Sequence, residues 1–157
     1  MRPTVYIETT IISYLTGRKS RHPIVAGRQA LTREWWDNCR ERFEAFVSPF
    51  VVTEAQDGDP HAAKRRIEAI EGIPALAVTE EVRRLAESLI GPGPMPEQYP
   101  DDALHVAICA VNGLDYLVTW NCTHLANATL RRQVERFLAQ AGYECPVICT
   151  PEELMEV

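Results

Sequence analysis

Short apolar runs alternate with helical patterns along the whole chain, and no other feature constrains the fold as much. Strand-like runs fall at about 4–8, 45–48, 75–78, 116–119 and 147–149. Between them lie patterns with a helical period. One runs from Thr9 to the stop at Gly17. Another covers 23–43, with Ile24, Leu31, Trp35, Cys39 and Phe43 on one face. The rest start at Ser48-Pro49 and cover 60–71, 79–91, 102–112 and 127–140. Strands that alternate with helices predict an α/β domain, three-layered, with a mainly parallel central sheet of about five strands flanked by helices. The 157 residues suit one domain, 1–157. Residues 91–100, with Gly91, Gly93 and four prolines, read as a loop near the sheet edge and not as a boundary.

Composition narrows the class. Hydrophobic residues make up 46% of the chain, and no apolar run reaches the roughly 18 residues a spanning helix needs. Met1–Thr4 runs straight into a strand without a signal-peptide core, so a cytoplasmic protein is expected. The five cysteines form no CxxC pair and are read as reduced, packed thiols; no Cys/His spacing supports zinc. The net charge of −6 argues against a broad nucleic-acid surface, yet basic groups cluster at Arg18-Lys19-Ser20-Arg21, Lys64-Arg65-Arg66 and Arg131-Arg132 with Arg136. The first cluster follows helix one and is expected beside the site, where it would meet phosphates. Of the adjacent Trp35 and Trp36, one is expected in the core and the other at an interface.

Four oxygen-bearing side chains follow the strands or open the helices. Glu8 follows Val5-Tyr6-Ile7, and Glu54 lies past the second strand. Asp102 opens an apolar helix, with Asp101 beside it as a cap. Asn121 follows Tyr116-Leu117-Val118-Thr119. In a parallel sheet the carboxyl ends of the strands share one edge, where ligands collect. Three carboxylates and an amide gathered there repel unless a cation sits among them, and Mg²⁺ or Mn²⁺ prefers such oxygen ligands. His105 and His124 are accessory candidates, as is Thr9. The chain has no GxxxxGK[ST], GxGxxG or GxSxG motif to support a nucleotide-binding or serine-hydrolase reading.

Tyr6-Ile7-Glu8-Thr9-Thr10, Ser48 with Glu54, Asp102-Ala103-Leu104-His105 and Leu117-Val118-Thr119-Trp120-Asn121-Cys122-Thr123-His124 together resemble the PIN-domain ribonucleases, and most of all the VapC-like toxins. The resemblance spans nearly the whole chain. It implies a PIN-like fold and an Mg²⁺- or Mn²⁺-dependent endoribonuclease acting on single-stranded RNA. It also implies a cognate antitoxin and a homodimer. Glu8, Glu54, Asp102 and Asn121 would hold the metal and act in catalysis, with Arg18, Lys19 and Arg21 on flanking phosphates. Glu8 and Asn121 stand where the family usually has Asp. Neutralising Glu8 or Asp102 is expected to abolish cleavage without loss of stability. Two alternatives stay open: a catalytically weak PIN-like module that binds RNA or protein, and a metal-dependent phosphatase.

Overall fold

The first strand, β1 (Thr4–Ile7), is wholly apolar after Thr4 and forms the centre of the sheet in a computed structural model that describes residues 1–155. The elements that follow are α1 (Thr9–Thr16), α2 (Pro23–Asn38), β2 (Glu44–Phe46), α3 (Pro49–Ala55), α4 (Pro60–Ile70), α5 (Glu80–Ile90), α6 (Pro100–Val111), β3 (Tyr116–Val118), α7 (Ala128–Gln140) and β4 (Val147–Cys149). The strand order is β2-β1-β3-β4, and all three pairings are parallel. Val5, Tyr6, Ile7, Leu117 and Val118 are buried, as expected of strands covered on both faces.

The sheet has four strands among the described residues, one fewer than the sequence pattern predicts. The segment 75–78 touches the sheet only through a single parallel bridge, Val47 to Ala75, closed by Val47 N–H on Pro74 O (2.9 Å) and Leu76 N–H on Val47 O (2.8 Å). The pairing stops there because its partner ends. Ser48 caps α3 by accepting the Val51 N–H, and Pro49 turns the backbone into the helix. Leu76 and Val78 still alternate inward like a strand, but the pairing does not extend past Leu76.

Other boundaries shift for local reasons. The helix predicted over 23–43 ends at Asn38, and Arg40–Arg42 tightens into a 3-10 turn that leads to extended Phe43. Helix α6 begins at Pro100, so Asp102 lies inside its first turn. It ends where Gly113, at φ 64°, allows Gly113 N–H to bond Ala110 O and Leu114 N–H to bond Cys109 O. That turn feeds directly into β3. Helix α6 therefore runs back against the strand direction, and its first turn lies at the carboxyl edge of the sheet. Helix α5 packs along α6, and α1 packs against α2, α3 and α4. At the opposite edge Asp115 Oδ2 accepts from Thr4 N (2.8 Å) and Thr4 Oγ1 (3.0 Å), clamping β1 to β3.

Trp35 is fully buried, while Trp36 is half-buried with the Arg40 guanidinium 4.6 Å above its ring. No helix of the described residues is long and apolar enough to cross a membrane. The five cysteines are free thiols. Burial pushes Cys145 and Cys149 up to about 12, which leaves them inert.

A carboxylate site at the sheet edge

Glu8 is the best-anchored group at this edge. It leaves the end of β1 with only 4% of its surface exposed, where an unpaired charge would cost several kcal/mol. Three donors offset that cost. Thr10 gives its N–H to Oε2 at 2.8 Å and its hydroxyl to Oε1 at 2.7 Å, and the Thr119 hydroxyl gives a third, short bond to Oε1. The first of these makes Glu8 the N-cap of α1, where the helix dipole favours an anion. Both hydroxyls in turn accept backbone N–H groups beyond β3. Thr10 Oγ1 takes Trp120 N–H at 2.8 Å, and Thr119 Oγ1 takes Asn121 N–H at 2.9 Å. Glu8 thus fastens the start of α1 to the segment that carries Asn121.

Glu54 lies on the last turn of α3, half-buried. Its Oε1 accepts from Thr9 Oγ1 at 2.6 Å and lies 3.1 Å from His105 Nε2. Burial raises its pKa, but the His105 and Thr9 hydrogen bonds and the charge of His105 outweigh it, so the net shift is downward. His105 is 2% exposed, one turn along α6 from Asp102. Its other nitrogen, Nδ1, lies 2.7 Å from the Tyr6 hydroxyl, which lies 2.9 Å from Ser48 Oγ. A hydrogen-bonded chain, buried from Ser48 to His105, therefore runs Ser48–Tyr6–His105–Glu54–Thr9, linking β1, α1, α3 and α6. Burial disfavours the charged imidazole, yet the Glu54 hydrogen bond and the negative field of Glu8, Glu54 and Asp102 carry its pKa above the usual histidine range.

Asp102 meets Asn121 and His124. Asn121 Nδ2 donates to Asp102 Oδ1 at 3.2 Å, and His124 Nδ1 lies 3.3 Å from Oδ2. Asn121 Oδ1 accepts the His124 backbone N–H at 3.0 Å, which fixes the amide orientation, since an amide nitrogen cannot accept that bond. Burial raises the Asp102 pKa; His105 and His124 oppose this, and Glu8 and Asp101 add to it. Tyr99, the residue before α6, stacks its ring on His124 with centroids 3.8 Å apart and planes inclined by 28°.

The predicted residues thus divide. Glu8, Glu54, Asp102 and Asn121 converge, together with Thr9, His105 and His124. Arg18, Lys19 and Arg21 lie in the loop between α1 and α2, exposed, without a hydrogen bond from any of their side chains into the carboxylate cluster among the described residues. The basic group against the 120–122 segment is Arg28 of α2. Its guanidinium lies 5.3 Å from the centroid of the Trp120 ring and 3.9 Å from Cys122 Sγ. No motif in the sequence singles out Arg28, which lies within α2, remote in sequence from residues 120–122. The sequence pattern also gives no role to Thr119 or Tyr99; the exposed aromatic beside the acid pair Asp101-Asp102 was the available signal for Tyr99.

The arrangement offers carboxylates at the sheet edge, each oriented by hydrogen-bond partners. Comparison with known proteins adds no assignment: no protein-family model matches the chain, and no curated protein does.

Proposed function

We propose that this chain is a PIN-type endoribonuclease that cleaves single-stranded RNA with Mg²⁺ or Mn²⁺, and that it is the toxin of a type II toxin–antitoxin pair. The supporting observation is the convergence of Glu8, Glu54, Asp102 and Asn121 from four separate segments, with Asn121 bonded to Asp102 and all three carboxylates acting on His105. The sequence resemblance supplies the reaction class; the convergence supplies a place for it.

Carboxylate oxygens are the right donors for such a cation. Among the described residues no three acidic, histidine or cysteine side chains are placed to hold one ion together. In this reading Glu8 and Asp102, whose charges both act on His105, would hold the cation, with water and substrate phosphate completing its shell, as is common for Mg²⁺. When bound, it would lower the pKa of water and offset charge on the phosphoryl oxygens. Glu54 uses Oε1 for Thr9 and His105. With its pKa held down it stays ionised, and its second oxygen can orient the attacking water. Asn121 keeps Asp102 in place. Arg28, with Arg18, Lys19 and Arg21 further out, offers positive charge to flanking phosphates. The same anionic pocket would accept an Arg or Lys from an antitoxin, which pairs well with carboxylates and would exclude the cation. A homodimer belongs to the same reading.

Purified protein should cleave single-stranded RNA with added Mg²⁺ or Mn²⁺ and stop in EDTA. Cleavage that continues in excess chelator overturns the metal-dependent reading. A second reading, a PIN-like module that binds RNA or protein with weak catalysis, is favoured by the way both oxygens of Glu8 and of Asp102 already have partners within the protein. RNA binding without turnover in Mg²⁺ selects it. The phosphatase alternative is weaker, because both oxygens of Glu8 are engaged by donors and the group is a poor nucleophile.

A further inference from the structure

Tyr99 is one of the few large apolar-bodied side chains left exposed, at 44%. Its position is not that of a casual surface residue. The ring stacks on His124, whose Nδ1 reaches Asp102 Oδ2. Its backbone is built in: Tyr99 O accepts the Asp102 N–H, and Tyr99 N–H bonds Pro96 O, both at 3.2 Å. The loop that carries it is pinned as well. Met95 is buried and gives its N–H to Leu89 O at 2.9 Å, and at Gly93 a Cβ would lie 2.4 Å from Leu89 O, so only glycine permits that approach to the end of α5. An exposed aromatic ring is thus held by a fixed loop one step from a carboxylate of the proposed catalytic site.

We propose that Tyr99, backed by His124, is a stacking platform for one unpaired base of the RNA, adjacent to the phosphate handled at Asp102. This rests on the nuclease reading and adds how the substrate is recognised. Every base has a π-face, so stacking on tyrosine tolerates any sequence but requires a base free of its partner. Paired bases are stacked within a helix and cannot reach a single side chain in this way. The platform therefore selects single strands and sets which nucleotide lies beside the scissile bond. Tyr99 contributes through binding; it donates nothing to the reacting atoms.

The test uses the full chain in Ca²⁺, which takes the same oxygen donors, and single-stranded RNA carrying 2-aminopurine at successive positions, whose fluorescence falls on stacking. Wild-type protein should quench one position most strongly. Tyr99→Leu, which keeps apolar bulk without a π-face, should lose that quenching and bind RNA about ten-fold more weakly. Tyr99→Phe and Tyr99→Trp should retain both. Circular dichroism should be unchanged in all three. If Tyr99→Leu binds and quenches as wild type does, the platform is overturned, even where its cleavage falls; the ring would then serve only to hold His124. Failure of the nuclease reading looks different: wild-type protein would neither bind RNA in Ca²⁺ nor cleave it in Mg²⁺, and that outcome overturns both.

Discussion

Asn121 turns its amide nitrogen to Asp102 at 3.2 Å and its oxygen to the His124 N–H at 3.0 Å, so it meets the carboxylate as a donor. Read from sequence, Asn121 is a neutral substitute for an acidic metal ligand. In the fold it also supplies a hydrogen bond that Asp102, burdened by burial and by the charge of Glu8, needs in order to stay in place.

Asn121→Asp should therefore act oppositely in the two metal states. Without metal it removes a donor and sets a second carboxylate against Asp102, which should cost about 1–2 kcal/mol. A cation relieves that repulsion, so Mg²⁺ should raise the melting temperature of the variant more than that of wild type. Thermal melts in EDTA and in Mg²⁺ decide this; equal Mg²⁺ shifts for the two proteins would place Asn121 away from the cation.

Neutralising Glu8 and neutralising Asp102 should both abolish cleavage but diverge in stability. Glu8 accepts three hydrogen bonds at the start of α1. Glu8→Gln presents an amide N–H₂ to groups that are themselves donors and should cost about 1–3 kcal/mol. Asp102 is held above its usual pKa, so Asp102→Asn relieves a strained charge, and stability in EDTA should hold or rise. From sequence alone both swaps looked neutral for folding; the donors around Glu8 are the reason they differ. Urea midpoints of the two variants check this, and equal midpoints would refute it.

Tyr6→Phe tests the buried chain. It deletes the hydroxyl shared by Ser48 Oγ and His105 Nδ1 and leaves both in a dry environment. The expected loss is about 1–3 kcal/mol, and about 2–4 °C in melting temperature for each kcal/mol at this chain length. An unchanged melt would mean that water replaces the hydroxyl.

Stability of the metal-free protein should fall as pH rises above 6.5. His105 has its pKa raised above 6.5, so its contribution is complete below 6.5 and is lost as pH climbs through the raised value. Asp102, raised above 3.8, adds its penalty as it ionises and then holds it constant at neutral pH. Glu54, lowered from 4.5, contributes fully above 4.5 and gives way only in acid. Above pH 6.5 the decline therefore belongs to His105, and His105→Gln should flatten it. Denaturation curves in EDTA at intervals across that range measure the slope; a wild-type slope retained in His105→Gln would assign it to another group.

The sequence by itself determined the α/β class, the parallel sheet and the residues of the candidate site. Periods of two and of 3.6 alternate, caps such as Ser48-Pro49 and stops such as Gly17 punctuate them, and that local chemistry is enough to place parallel strands and to send Glu8, Glu54, Asp102 and Asn121 to one edge. What it could not determine was pairing. The segment 75–78 has the alternation of a strand, yet it is one only where a neighbour offers backbone, and α3 removes that neighbour after Val47. Nor could it show that His105 connects Glu54 to Tyr6, that Asn121 donates to Asp102, or that Arg28, and not the Arg18–Arg21 run, lies against the 120–122 segment. Those relations join residues from separate elements. Local propensity acts over a few residues, whereas hydrogen bonds and charges act over a few ångströms, and only the folded chain turns one kind of nearness into the other.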